Sequence, residues 1–166
     1  MMKSRSKVRI IIVAIAMIIS VFALTGCDSG SSLVEIGIGQ RHSTQWFDFT
    51  IHSAEVVDEF YGFTALHGYQ LWVVRITQTG NFHETVPMFF DDWYMDDDSF
   101  DGVYVILPVI DGHPEMMPDE FSLTRGQSET HIMVYEIPMD TTNLTLNFLE
   151  IDEEDAVGTR FTLNLQ

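Results

Sequence analysis

An all-β antiparallel sandwich of seven or eight strands is the fold this sequence predicts, and three observations carry the prediction. After residue 26, runs of five to ten residues rich in Val, Ile, Thr and aromatics recur between Gly, Asp, Asn and Pro. That is the pattern of short strands joined by turns. No apolar period of 3.6 residues lasts beyond two turns in the same stretch, so no core helix is expected there. Several runs alternate by twos while one is apolar on both faces, as two layers packed over a shared core require.

The chain opens differently. Lys3, Arg5, Lys7 and Arg9 precede Ile10–Leu24, fifteen uncharged residues whose apolar run is broken only by Ser20. A membrane span needs roughly 20 apolar residues, whereas this length and these flanks fit the helix of a secretory signal peptide. Leu24-Thr25-Gly26-Cys27 closes it and contains the sole cysteine of the chain. The tetrapeptide resembles the lipobox of bacterial lipoproteins, in which the cysteine thiol receives the lipid and becomes the first residue of the mature protein. The residue type suits that chemistry, since the thiolate is a good nucleophile, and two or more acyl chains anchor stably where one is marginal. The expectation is a signal peptide over 1–26 and lipidation at Cys27, with the mature protein held on the outer face of the cytoplasmic membrane. An uncleaved anchor with a coincidental cysteine is the alternative.

Residues 27–166 hold all 25 carboxylates against four arginines, Arg41, Arg75, Arg125 and Arg160, a formal charge of −21 with no lysine. Such a surface repels phosphate backbones, which argues against nucleic acid as a partner. Solubility beside an anionic envelope explains the charge most simply. The 140 residues suffice for one domain with its own core. Residues 27–32, with Asp28-Ser29-Gly30-Ser31-Ser32 after the cysteine, read as a flexible tether, and 33–166 as the domain.

Within that domain the first strand is expected over Leu33–Ile38. Trp46–Val57 follows, with Phe47, Phe49 and Ile51 on one face and Asp48, Thr50 and His52 on the other. The phase then slips to Ala54 and Val56, which predicts a β-bulge near His52-Ser53. Tyr69–Thr79 is apolar on both faces at Leu71, Trp72, Val73, Val74 and Ile76, marking a central, covered strand. Phe82–Tyr94 is less regular, and Val103–Leu107 is a short strand. In His131–Ile137, Met133, Tyr135 and Ile137 alternate with Ile132, Val134 and Glu136, and Pro138 ends the ladder. Leu144, Leu146 and Phe148 alternate again. The last strand follows Gly158, with Phe161, Leu163 and Leu165 inward and Arg160, Thr162 and Asn164 outward.

Trp72 on a central strand, Thr79-Gly80-Asn81, Asp101-Gly102-Val103-Tyr104 and Leu123-Thr124-Arg125-Gly126-Gln127 leading to Glu136-Ile137-Pro138 together resemble one family. It is the immunoglobulin-like domain of unknown function common in lipoproteins of Gram-positive bacteria and akin to a secreted mycobacterial antigen. The resemblance covers about residues 35–166. It implies an immunoglobulin-like sandwich and an extracytoplasmic location, and it transfers no activity and no site.

Asp91–Gly102 is the most distinctive local segment. Asp97-x-Ser99-x-Asp101-Gly102 opens like a calcium loop, but Pro108 stands where the closing Glu belongs, which excludes an EF-hand. A looser cage for calcium from Asp96, Asp98 and Asp101 stands against a simply solvated hairpin tip. Phe89, Phe90, Trp93, Tyr94, Phe100 and Tyr104 interleave with these acids. They read either as core side chains or as a face for a sugar or a basic peptide. The six histidines never fall at i, i+2 or i, i+4, and His83-Glu84 lacks the second histidine of a zinc-protease motif. No Gly-x-Ser-x-Gly elbow, spare cysteine or phosphate loop is present. The sequence therefore points to a non-catalytic binding module with an unknown protein or glycan partner. A calcium-responsive domain is the alternative, and an envelope hydrolase a remote one.

Overall fold

Strands account for nearly every ordered element of the computed structural model, which describes residues 32–97, 103–105, 107, 113–151 and 158–165. The expected signal helix, Cys27 and the tether up to residue 31 lie outside the described residues. In chain order the strands are β1 (Ser32–Glu35), β2 (Arg41–Ser43), β3 (Phe47–Val57), β4 (Glu59–Phe60), β5 (Phe63–Thr64), β6 (Tyr69–Gly80) and β7 (Val86–Phe89). A 3-10 turn, Phe90–Asp92, then leads to β8 (Trp93–Asp96). The series closes with β9 (Tyr104–Val105), β10 (Glu120–Leu123), β11 (Ser128–Pro138), β12 (Thr145–Ile151) and β13 (Gly158–Asn164).

Two main sheets form the sandwich. One has the order β1-β13-β12-β8-β9 and the other β11-β6-β3-β2, with β7–β10 and β4–β5 as two-stranded additions. Pairing is antiparallel except between β1 and β13, which run parallel from Ser32↔Thr159 to Glu35↔Thr162. The fold is thus the all-β sandwich that the alternation predicts.

The inward faces carry the residues expected there. Phe47, Phe49 and Ile51 of β3, Trp72, Val74 and Ile76 of β6, and Met133, Tyr135 and Ile137 of β11 meet Trp93, Met95, Leu146, Phe148, Phe161 and Leu163 of the opposite sheet. Aromatic edges lock the two layers: Phe49 lies edge-on to Trp93 at 5.2 Å and to Phe161 at 5.5 Å, and Phe47 to Phe148 at 5.2 Å. The predicted bulge is present, because the β3–β6 register shifts between Ile51 and Ser53. Beyond it Ala54 packs on the core, while Val56, on the same face, is 47% exposed at the rim.

β6 is central and covered on both sides, as its double apolar face requires. Leu71, Ile132 and Val134 turn to the outer face and form a second core with Met116. Phe60 and Phe63 of the β4–β5 hairpin cover it, joined by Leu107. Tyr61 and Gly62 have φ of 48° and 82°, the paired positive values that a two-residue turn between such strands needs. The free edge of β11 is closed by Leu107 N–H to Val134 O at 2.8 Å, Ile132 N–H to Glu115 O at 2.7 Å, and Met117 N–H to Ile132 O at 2.9 Å.

Three expectations need correction. The first strand stops at Glu35 because the chain turns at Gly37–Gln40, where Gly39 has a φ of 76° and Gln40 N–H bonds Gly37 O. Ile38 is left half-exposed. Thr162 is buried, its hydroxyl donating to Asn147 Oδ1 at 2.8 Å. In the expected 103–107 strand, Tyr104–Val105 pairs with Tyr94 and Met95 of β8, while Leu107 bonds Val134 of β11 in the other sheet.

Candidate functional site

The switch of one segment between sheets creates a concavity. β7 pairs with β10, then the 3-10 turn Phe90–Asp92 redirects the chain into β8, which pairs with β12. Because β8 begins only at Trp93, opposite Phe148, the space beside the end of β12 is left open. A groove of about 530 Å³ fills that gap, lined by Trp46, Phe47, Val86, Pro87, Met88, Phe89, Asp92, Phe148 and Leu149.

Each wall has a local cause. Trp46 sits in the β2–β3 turn, where the Thr44 hydroxyl accepts the Trp46 and Phe47 N–H groups at 3.1 Å each and donates to Phe47 O at 2.9 Å. Asn81 and Phe82 N–H both bond Trp46 O, at 3.1 and 3.2 Å, and Gln45 N–H donates to Glu150 Oε1 at 2.6 Å. The turn is therefore tied both to the end of β6 and to β12. On β7, Met88 points into the core while Phe89 is 42% exposed. Phe90 N–H bonds Asp119 O on the β10 side, so alternation aims residues 87 and 89 at the opposite, open edge. Proline suits such an edge because it has no N–H to leave unpaired. Phe89 N–H is taken by Asp92 Oδ2 at 3.1 Å.

Asp92 is the one titratable side chain among the described residues lining the groove. Burial pushes its carboxyl above the ordinary carboxylate range, opposed by the Phe89 hydrogen bond and assisted by the neighbouring charge of Asp91. None of the four arginines lines the groove. Arg41 is paired with Asp48 and Arg75 with Glu115. Chemically the groove can shelter apolar side chains and hold a cation at one point.

The acidic segment proposed from the sequence is divided. Asp96 ends β8, opposite Thr145, whose hydroxyl donates to Asp96 O at 3.2 Å. Asp97, the first position of the calcium-loop spacing, is buried and accepts the Tyr104 hydroxyl at 2.7 Å. Asp98 and Asp101 lie outside the described residues, and no group of three potential metal ligands occurs among the described ones. Of the interleaved aromatics, Trp93 is fully buried, and Phe90 and Tyr104 pack against the core. Only Phe89 faces the groove, while Phe100 is not described. His42 and His131 are held below the usual histidine range by burial. The sequence reading did not single out Trp46, Val86, Met88 or Leu149. The available signal was Pro87 inside a short apolar run, followed at once by Asp91-Asp92.

Comparison with known proteins adds the fold. No protein-family profile matches the chain, and no curated protein matches it. Among solved structures it is similar to the yjhA protein of Bacillus subtilis, with a TM-score of 0.55 and 13% identity over 79% of this chain and 99% of that one. An uncharacterised β-sandwich protein of Clostridium difficile gives a TM-score of 0.52 and 10% identity over 82% of this chain and 96% of that one. The ycdA protein of Bacillus subtilis, provisionally described as a lipoprotein, gives 0.57 and 9% identity. There the match covers 75% of this chain but only 38% of that one. At these identities the likeness is one of fold.

Proposed function

We propose that the chain is an extracytoplasmic lipoprotein whose β-sandwich is a non-catalytic binding module, with the groove beside β7 and β12 as its ligand site. The leader over 1–26 delivers the chain to the export machinery, Cys27 takes the lipid, and residues 28–32 tether an immunoglobulin-like domain. The provisional description of ycdA as a lipoprotein supports this setting. The observation that carries the binding reading is the groove itself, an open apolar concavity of about 530 Å³ with a single half-buried carboxylate. Ligand sites are typically concave and largely apolar with few polar groups. Its described lining offers no serine, cysteine or histidine for nucleophilic or general-base chemistry, which favours binding over hydrolysis.

Two measurements test the reading. In cells, Cys27→Ala should move the full chain from the membrane fraction to the soluble or secreted fraction; unchanged membrane association would refute lipid anchoring. A photoreactive residue at Phe89 should give a discrete adduct in intact cells, whereas one at Thr77, on the hydroxyl-lined outer face of β6, should not. Equal labelling at both positions, or none at Phe89, would refute the groove as the binding site.

A further inference from the structure

Asp92 is a charge without a counter-charge in an otherwise apolar groove, and that mismatch describes the ligand. Its carboxylate is half-buried and accepts the Phe89 N–H through Oδ2 at 3.1 Å. No ion pair reaches it among the described residues. The neighbouring charge acting on it is another acid's, that of Asp91. Glu120, opposite Phe89, and Glu150, beside Leu149, add further acids around the same walls. Burial has already removed part of the water from the Asp92 carboxylate. A cation set against it therefore replaces hydration that is already lost, and charge-assisted hydrogen bonds are the strong ones.

The remaining walls decide what kind of cation fits. Every other lining residue is apolar, from Trp46 and Phe89 to Met88 and Leu149. A bare calcium ion asks for about 6–8 oxygen ligands, whereas one carboxylate stands here among rings and aliphatic chains. A neutral apolar molecule would cover the walls but leave the Asp92 charge sealed in without a partner, which is costly. An anion would meet the carboxylate directly. Size points the same way: about 530 Å³ falls within the roughly 300–1,000 Å³ of small-molecule sites.

We propose that the groove takes a small organic ammonium compound, its apolar body against Trp46, Met88 and Phe148 and its N–H groups on the Asp92 carboxylate. This inference rests on the reading of the groove as the ligand site and names the class of ligand. The walls supply the affinity of apolar burial, and the single carboxylate supplies the choice of an amine over an alcohol or an acid of the same shape.

The test uses the full chain in a nonionic detergent and three probes of one shape: phenylbutylammonium, phenylbutanol and phenylbutyrate. Binding is measured by calorimetry and located by NMR of methyl-labelled methionines. Met88 lines the groove, whereas Met116 belongs to the second core and lies outside it. The ammonium probe should shift Met88 and leave Met116 unmoved. It should bind about tenfold or more tightly than the alcohol or the carboxylate, and added salt should shrink that preference. Asp92→Asn, which keeps an oxygen for the Phe89 N–H, should bring the ammonium affinity down to that of the alcohol and leave the alcohol's own affinity unchanged. The probe series on the unaltered chain gives the answer should that variant fail to fold. Equal affinity for the ammonium and alcohol probes, or an ammonium affinity that survives Asp92→Asn, would overturn the proposal. A Met88 shift produced alike by all three probes, or an adduct at Phe89 in cells with no ammonium binding, would overturn the ligand class but leave the groove as the site. No shift at Met88 together with no adduct at Phe89 would overturn both readings.

Discussion

Asp92 Oδ2 accepts the Phe89 amide proton at 3.1 Å, so a single carboxylate both finishes the edge of β7 and borders the groove. Burial, the largest influence, raises its pKa above 3.8. A raised carboxyl adds stability that is fully present below 3.8 and is lost as pH rises through the folded value. Ionised Asp92 is therefore a burden on the fold at neutral pH. Asp92→Asn should leave the melting temperature near that of the parent below pH 3.8 and raise it above the parent's at pH 7. A lower melting temperature at pH 7 would mean that the charged form gains more from the Phe89 bond than it loses to burial.

Gly80 and Thr124 meet backbone to backbone. A Cβ at Gly80 would stand 2.3 Å from the Thr124 carbonyl oxygen, and Gly80 also bonds Gln127 O and Gly126 N–H at 3.0 and 2.8 Å. This junction holds the end of β6 against the turn that carries β10, and through β10 it holds β7. Gly80→Ala should cost about 2–4 kcal/mol in chemical denaturation, with no compensating change available in a flexible side chain.

Gln78 is fully buried, and neither its amide oxygen nor its nitrogen has a protein hydrogen-bond partner. It lies on the core side of β6, opposite Phe49 and Glu129. A buried polar group without a partner costs about 1–3 kcal/mol. Gln78→Met, similar in length and free of that cost, should stabilise the domain by an amount of that order in urea titrations.

Asp48 behaves in the opposite sense to Asp92. Burial works to raise its pKa, but hydrogen bonds from Ser43, Arg41 and Asn81 and the charge of Arg41 outweigh it and bring the carboxyl below 3.8. Its contribution is present above 3.8 and is lost as pH falls through the folded value. Asp48→Ala should destabilise the domain by about 1–2 kcal/mol at pH 7, and the difference from the parent should narrow in melts below pH 3.8.

The sandwich was legible wherever a strand was long and faced one core. Phe47, Phe49 and Ile51 announce their own register, and the slip to Ala54 marks the bulge correctly. Tyr69–Thr79 declares itself central through apolar residues on both faces. The same double-faced signal exists at Ile132–Tyr135, where Ile132 and Val134 are covered by the second core. Their cover comes from Phe60, Phe63 and Met116, segments too short to show a period. The β1–β13 pairing joins residues 127 positions apart in the Ser32–Thr159 pair, which no local pattern encodes. The groove was hidden for the same reason. Trp46, Met88 and Phe148 belong to three distant segments, and β7, with four residues, cannot show which of Met88 and Phe89 is buried. The acidic segment drew attention by composition, yet among its described acids Asp92 borders the groove and Asp97 accepts the Tyr104 hydroxyl.

The parallel pairing of the first and last strands has a mechanical consequence. Tension applied to the chain at Ser32 acts along the axis of β1, so its four registered pairs with Thr159, Arg160, Phe161 and Thr162 are strained together. A lap joint resists in this way, whereas a hairpin pulled at its open end parts one rung at a time. A pull on β1 is thereby carried into the sandwich through β13, and shortening β13 would slacken the grip on β1.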